Sequence, residues 1–406
     1  MATTSAVKTR WYRLILGAVS MFFAGIIYAW SILKAPLAVE FGWSAADLAL
    51  NFTLMLCFWC IGGVISSQIT RRTSPRVTVT LSAVVVLAGF FLCSRMSGNS
   101  IMMLYFSYGG LAGIGIGMSY NAVISATSAW FPDKKGTCSG VMMMCFGISS
   151  LVLGSVADRM FAMPAFGWRK TYLVLGIVIA AVLAISGQFV KTPGPDVVLP
   201  KPSAKQSVQE AFESRDYSAS EMLRRFTFWR FFLFCALTAS VGSTVISFAR
   251  DLSLAAGADA VLATTLVGVL SVCNGLGRVI CGMVFDILGR RKTMLLASVI
   301  TIVAPAVVLI SLSTNSLVLC IVGLCFTGIS YGFAPTITSA FTSAFYGLKY
   351  FPTNFSIANM MLIPASFSAT LASTLLMNTG SYTAPFIMLF AFACVALILN
   401  LSIRRP

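Results

Sequence analysis

The sequence predicts an all-α membrane protein of twelve transmembrane helices in two pseudo-symmetric six-helix bundles, and three observations carry that prediction. Of the 406 residues, 58% are hydrophobic and 10% charged, a balance foreign to soluble globular domains and to disordered chains. The apolar residues gather near 14–36, 48–69, 77–94, 101–130, 137–157, 170–190, 228–250, 260–285, 293–313, 316–345, 350–377 and 381–403. Each stretch is long enough to cross a hydrocarbon core of about 30 Å as a helix. Finally, the halves repeat. Gly117-Met-Ser-Tyr120 with the following Asn-Ala-Val-Ile-Ser-Ala-Thr-Ser-Ala-Trp matches Gly328-Ile-Ser-Tyr331 with Gly-Phe-Ala-Pro-Thr-Ile-Thr-Ser-Ala-Phe. The match falls on the fourth and tenth spans, as internal duplication of a six-helix unit requires.

The elements follow from this frame in order. Residues 1–190 form the first bundle, 191–227 a cytoplasmic linker and 228–406 the second bundle. The linker is assigned because Pro, Ser, Lys, Gln and Glu replace the apolar residues there, and such a composition buries too little surface to fold alone. A net charge of +16 would suggest a nucleic-acid partner in a soluble protein, but here its distribution reports topology. With both termini inside, 21 of the 28 basic residues fall on the cytoplasmic side, among them Lys8, Arg10, Arg13, Arg71, Arg72, Arg76, Lys134, Arg290, Arg291, Arg404 and Arg405. Six fall outside: Lys34, Arg95, Arg159, Arg169, Lys170 and Arg250. The positive-inside rule selects that orientation, in the plasma (inner) membrane. No cleavable signal is expected, since Lys34-Ala-Pro follows the first span in place of a small-residue cleavage site.

The eleven cysteines and absent histidine point to no metal or cofactor. Cys57-Phe-Trp-Cys60 has knuckle spacing but lies in an uncharged helix without other ligands. Gly113-Ile-Gly-Ile-Gly117 lacks the preceding strand of a nucleotide-binding loop, so close helix packing is its expected role.

One basic residue remains. Arg278 stands eight positions before Asp286 in a run that is otherwise apolar from Val261 to Phe285. At 1.5 Å per residue it lies roughly 12 Å from the helix end, too deep to snorkel comfortably. A guanidinium there costs at least about 2.5–3.5 kcal/mol on insertion scales, so it marks a functional site by default. The competing role is to cap nearby backbone carbonyls. Its forked donors suit a carboxylate. Tyr28, Tyr120 and Tyr331 offer hydroxyls and apolar walls, and Asn274, one turn before Arg278, and Asn121 offer amides that either orient a ligand or join helices.

Gly282-Met-Val-Phe-Asp286-Ile-Leu-Gly289-Arg290-Arg291 resembles the loop signature G-x-x-x-D-R/K-x-G-R/K-R/K of the major facilitator superfamily (MFS), with Ile287 replacing one basic residue. In the first half the same frame carries Arg71 where the aspartate would stand. Tyr28-Ala-Trp-Ser, Trp130-Phe-Pro-Asp-Lys-Lys-Gly136 with Ser139-Gly140, and Gly277-Arg278 resemble the oxalate:formate antiporter family and its monocarboxylate-carrying neighbours. That resemblance implies an aromatic-lined mid-membrane cavity in which a basic residue of the eighth span, here Arg278, holds the substrate anion. Oxalate-carrying members use a second lysine in the eleventh span, where Leu362 stands; proton-coupled monocarboxylate transporters resemble this chain at Lys34 and Arg278 but carry an aspartate where Asn274 stands.

A dicarboxylate facing a single cation would leave one charge unpaired in an apolar cavity, so a monocarboxylate fits better. No Asp, Glu or His falls in a span interior, which removes the usual carboxylate proton relay. Lys34 then becomes the candidate coupling residue, against the simpler reading of a snorkelling lysine. The expectation is a non-enzymatic, monomeric transporter of small organic anions, working as proton symporter or antiporter by alternating access. Its rivals are an oxalate:formate-type exchanger with Lys34 as second cation, and a carboxylate sensor signalling through the linker.

Overall fold

The computed structural model describes residues 2–97, 100–194, 197, 199–200 and 216–403. Most of the predicted linker, with Lys201, Lys205 and Arg215, and the terminal Arg404 and Arg405 lie outside the described residues. The elements are α1 (Ala2–Ala24), a 3-10 turn (Gly25–Ala29), α2 (Trp30–Leu33), α3 (Ala35–Phe41), α4 (Ala45–Arg72), α5 (Pro75–Ser94), α6 (Ile101–Leu104), a π segment (Tyr105–Ala112), α7 (Gly113–Ser128), α8 (Lys135–Ala162) and α9 (Gly167–Gly187). After the linker come α10 (Ala219–Leu223), α11 (Phe226–Ala255), α12 (Ala260–Thr314), α13 (Leu317–Tyr346), α14 (Phe351–Asn359), α15 (Leu362–Thr379) and α16 (Thr383–Ser402).

Eleven of the described helical stretches are long and apolar enough to span a bilayer. The 55 residues of α12 would reach about 80 Å as one rod, far beyond a membrane's thickness. They hold two spans, because Gly289 breaks the helix at φ 75° and ψ 175°, a conformation open to glycine. The total is the expected twelve. Helix starts follow the local sequence: Ser44 and Ser74 accept from the N–H groups of Asp47 and Val77, and Pro75 takes the first turn of α5, where no amide proton is needed.

Contacts group the chain into two compact units, the first being Met1–Cys138, Cys145–Ser203 and Phe351–Ile357, the second Ser139–Met144, Ala204–Tyr350 and Ala358–Pro406. In the first, glycines let backbones touch. A Cβ on Gly117 would come 2.0 Å from the Trp59 carbonyl oxygen and one on Gly113 2.9 Å from that of Met55, so the Gly113–Gly117 run is the packing surface its sequence suggests. Hydroxyl pairs such as Ser20 with Ser186 at 2.7 Å, and Thr244 with Ser368 in the second unit at 2.7 Å, tie helices together.

Three spans depart from plain helices. The first breaks into α1, the 3-10 turn, α2 and α3; the fourth carries the π segment; the eleventh breaks between Asn359 and Leu362. The linker also corrects an expectation, because its end folds. Ser218 and Glu221 form a capping box that starts α10, Tyr217 N–H donates to Tyr346 O at 3.1 Å, and Asp216 Oδ1 accepts from Lys349 N–H at 3.1 Å. Local capping, the carbonyls at the end of α13 and the burial of Tyr217 and Met222 hold this short segment.

Candidate functional site

In the second unit Arg278 is 2% exposed. Its Nη1 donates to Met143 O at 2.5 Å and its Nε to Asn274 Oδ1 at 3.4 Å. Both acceptors are neutral. The backbone around it is packed to contact: a Cβ on Gly140 would lie 2.5 Å from Arg278 O, and one on Gly332 2.3 Å from Asn274 O and 2.8 Å from Arg278 N. Thr336 Oγ1 lies 3.3 Å from Arg278 O as a donor. Tyr331 is buried, its ring against Gly242, where a Cβ would come 2.3 Å from the tyrosine Cβ. Leu362, at the start of α15, is buried too. Carbonyl capping by Arg278, the competing role named from sequence, is thus present beside the 3.4 Å contact with Asn274.

In the first unit the aromatics converge. Tyr28 sits in the 3-10 turn with its ring 5.4 Å from Phe146, edge-on. Tyr120 lies 4.7 Å from Trp59, 5.0 Å from Phe146 and 6.1 Å from Phe355. Asn121 makes hydrogen bonds of its own. Its amide donates to Ser356 Oγ at 2.6 Å and Pro352 O at 3.0 Å, and Ser356 Oγ donates to Gly63 O at 2.8 Å, so Asn121 joins spans. Trp59, Phe146 and Phe355 were not singled out from the sequence; an aromatic in an apolar helix looks the same whether it faces lipid or a tyrosine.

Lys34 lies half-buried where α2 meets α3, and among the described residues its ammonium makes no hydrogen bond or ion pair. Close by in sequence, Glu40 accepts from Trp168 Nε1 and pairs with Arg169 at 2.7 Å. Those donors, Trp168 first, hold the Glu40 carboxyl below the usual carboxylate range. In the loop signature, Arg290 stacks on Phe345 at 4.1 Å beside the Gly289 break, Gly282 is buried, Asp286 is half-buried, and Ile287 is 80% exposed. Arg291 lies exposed. The Trp130–Gly136 motif fastens helix ends: Asp133 pairs with Arg10 at 2.6 Å, Trp130 Nε1 donates to Lys191 O at 2.7 Å, and Arg13 lies 4.7 Å over the Trp130 ring.

Two sets of membrane helices, a deeply buried arginine and a glycine-broken basic loop are the architecture of a membrane transporter, and the family match agrees. The chain belongs to the Major Facilitator Superfamily, whose profile matches residues 14–362 and 232–406. It is 25% identical over 360 residues to an uncharacterized MFS-type transporter, YhjX, of Escherichia coli, covering 88% of this chain and 86% of that one. It is 27% identical over 299 residues to the oxalate:formate antiporter of Oxalobacter formigenes, covering 72% and 67%, and 24% identical over 177 residues to rat monocarboxylate transporter 1, covering 43% and 35%. Among solved structures, the proton:xylose symporter XylE superposes with a TM-score of 0.73 over 98% of this chain and 95% of that one at 13% identity, a likeness of fold. The family and fold are those of transporters and not of enzymes.

Proposed function

We propose that this protein is a secondary active transporter of small organic anions, chiefly monocarboxylates, working by alternating access with Arg278 as the anion-binding residue. The observation that carries the reading is a guanidinium 2% exposed inside a membrane span, with Met143 O and Asn274 Oδ1 among its partners. A carboxylate is a stronger acceptor than either and matches the guanidinium fork. In this reading Asn274 orients the arginine, Tyr331 in the second unit and Tyr28 and Tyr120 in the first donate hydroxyls, Asn121 supports Tyr120 from the neighbouring position, Lys34 carries the coupling proton, and the Gly282–Arg291 loop takes part in gating. The protein works as a monomer in the plasma membrane with both termini cytoplasmic.

Leu362 supports a monocarboxylate, since a buried leucine offers a second carboxylate nothing. The similarity to an oxalate:formate antiporter favours one second reading, an exchanger in which Lys34 supplies the other cation. Uptake into proteoliposomes separates them. Formate, acetate and lactate are expected to accumulate through the wild type, and Arg278→Ala to abolish uptake while the protein still inserts and folds. Arg278→Lys restores little, because a point charge does not reproduce the fork. Normal uptake by the alanine variant removes Arg278 from the site, and oxalate-stimulated formate efflux selects the exchanger.

A further inference from the structure

In the first unit α1 and α5 bring two arginines to the same end, since Phe189, which accepts from Arg13, follows Gln188, whose Nε2 lies 3.3 Å from Thr80 Oγ1, one turn along α5 from Arg76. Arg13 and Arg76 interact electrostatically as like charges. Arg13 Nη1 donates to Phe189 O and its guanidinium lies over Trp130, but among the described residues no carboxylate pairs with it. Arg76, at the start of α5, makes no hydrogen bond or ion pair among the described residues, and the Nε atoms of both arginines are buried without an acceptor. The nearby acid is spent, since Asp133 pairs with Arg10 at 2.6 Å. Trp130 Nε1 holds Lys191 O at 2.7 Å, which brings an exposed third cation to the same end.

Two guanidiniums without a counter-ion repel, and a multivalent anion between them turns that repulsion into two charge-assisted contacts. The surroundings specify more than an anion. Tyr12, next to Arg13 and 52% exposed, is amphipathic as side chains at headgroup depth are, and the exposed Val77 follows Arg76 on α5. Charge at one level with apolar surface beside it matches an amphiphile.

We propose that Arg13 and Arg76 form a binding site for the phosphodiester of an anionic phospholipid, with Tyr12 and Val77 against its glycerol and acyl portions. The site stands apart from Arg278 and does not depend on what the protein transports. Basic residues at a membrane surface each contribute about five-fold in affinity for anionic lipid.

The test uses the purified full-length protein in detergent, titrated with dioleoylphosphatidylglycerol, with dioleoylphosphatidylcholine or with inorganic phosphate, and read by melting temperature and by native mass spectrometry. Phosphatidylglycerol is expected to bind and stabilise the wild type, and Arg76→Gln to weaken that binding about five-fold. Because Arg76 has no partner to lose, the variant should melt like the wild type in phosphatidylcholine, which checks its fold. Arg13→Gln should weaken binding similarly but also lose the Phe189 contact, so Arg76→Gln decides. Equal phosphatidylglycerol affinity in wild type and Arg76→Gln overturns the proposal. Inorganic phosphate stabilising as strongly as the lipid at equal phosphate concentration overturns the lipid assignment and makes the ligand a free anion.

Discussion

Gly332→Ala tests whether backbone packing at Arg278 sets the site. A Cβ at 332 falls 2.3 Å from Asn274 O and 2.8 Å from Arg278 N, against about 3.4 Å for ordinary van der Waals contact. The backbone of span 8 must retreat by about 1 Å, and both obstructing atoms are main chain, so no rotamer change relieves them. Overpacking of this kind costs about 1–3 kcal/mol. The same shift displaces Arg278 relative to Met143 O, which it meets at 2.5 Å, and moves the guanidinium fork from the position in which it would meet a carboxylate. The expected outcome is a lower melting temperature together with weaker anion binding. Gly268→Ala is the control. It lies in α12, the helix of Arg278, with nothing within 4 Å of the added carbon, and should be neutral or stabilise by up to about 1 kcal/mol. Melting curves and carboxylate titrations on both variants suffice. A Gly332→Ala protein with wild-type melting and wild-type affinity would refute the packing argument.

Other outcomes follow from the same geometry. Tyr120→Phe and Tyr331→Phe each delete a hydroxyl without opening a cavity and should weaken substrate affinity by roughly 0.5–3 kcal/mol; equilibrium binding unchanged in both assigns them to packing. Lys34→Gln should abolish pH-driven accumulation while leaving counterflow of labelled substrate intact, and loss of both activities makes Lys34 a substrate ligand. Glu40 titrates below its ordinary value of 4.5 in the folded protein, so its pairing with Trp168 and Arg169 stabilises fully above that value and fades as pH falls through the lower folded value. The melting-temperature gap between wild type and Glu40→Gln should therefore be constant near neutrality and close in acid; a gap that widens as pH drops contradicts the assignment.

The number of spans was legible in the amino-acid order, because each helical crossing demands about twenty apolar residues. That order located Arg278 for the same reason, as a charge conspicuous against an apolar run, and it marked Gly113–Gly117 for close packing, since small residues in a membrane helix let backbones approach. Tertiary structure decided what those residues touch. Met143 O is 135 positions from Arg278, Asn121 reaches 235 positions to Ser356, and Trp59 and Phe146 close on Tyr120 from other helices. In a membrane protein the lipid-facing and protein-facing sides of a helix are both apolar, so hydropathy carries no period that tells which face packs, or against what. Pitch is hidden as well. The 3-10 turn holding Tyr28 and the π segment Tyr105–Ala112 have the composition of ordinary helix, and only packing against neighbouring helices fixes where the winding tightens or loosens.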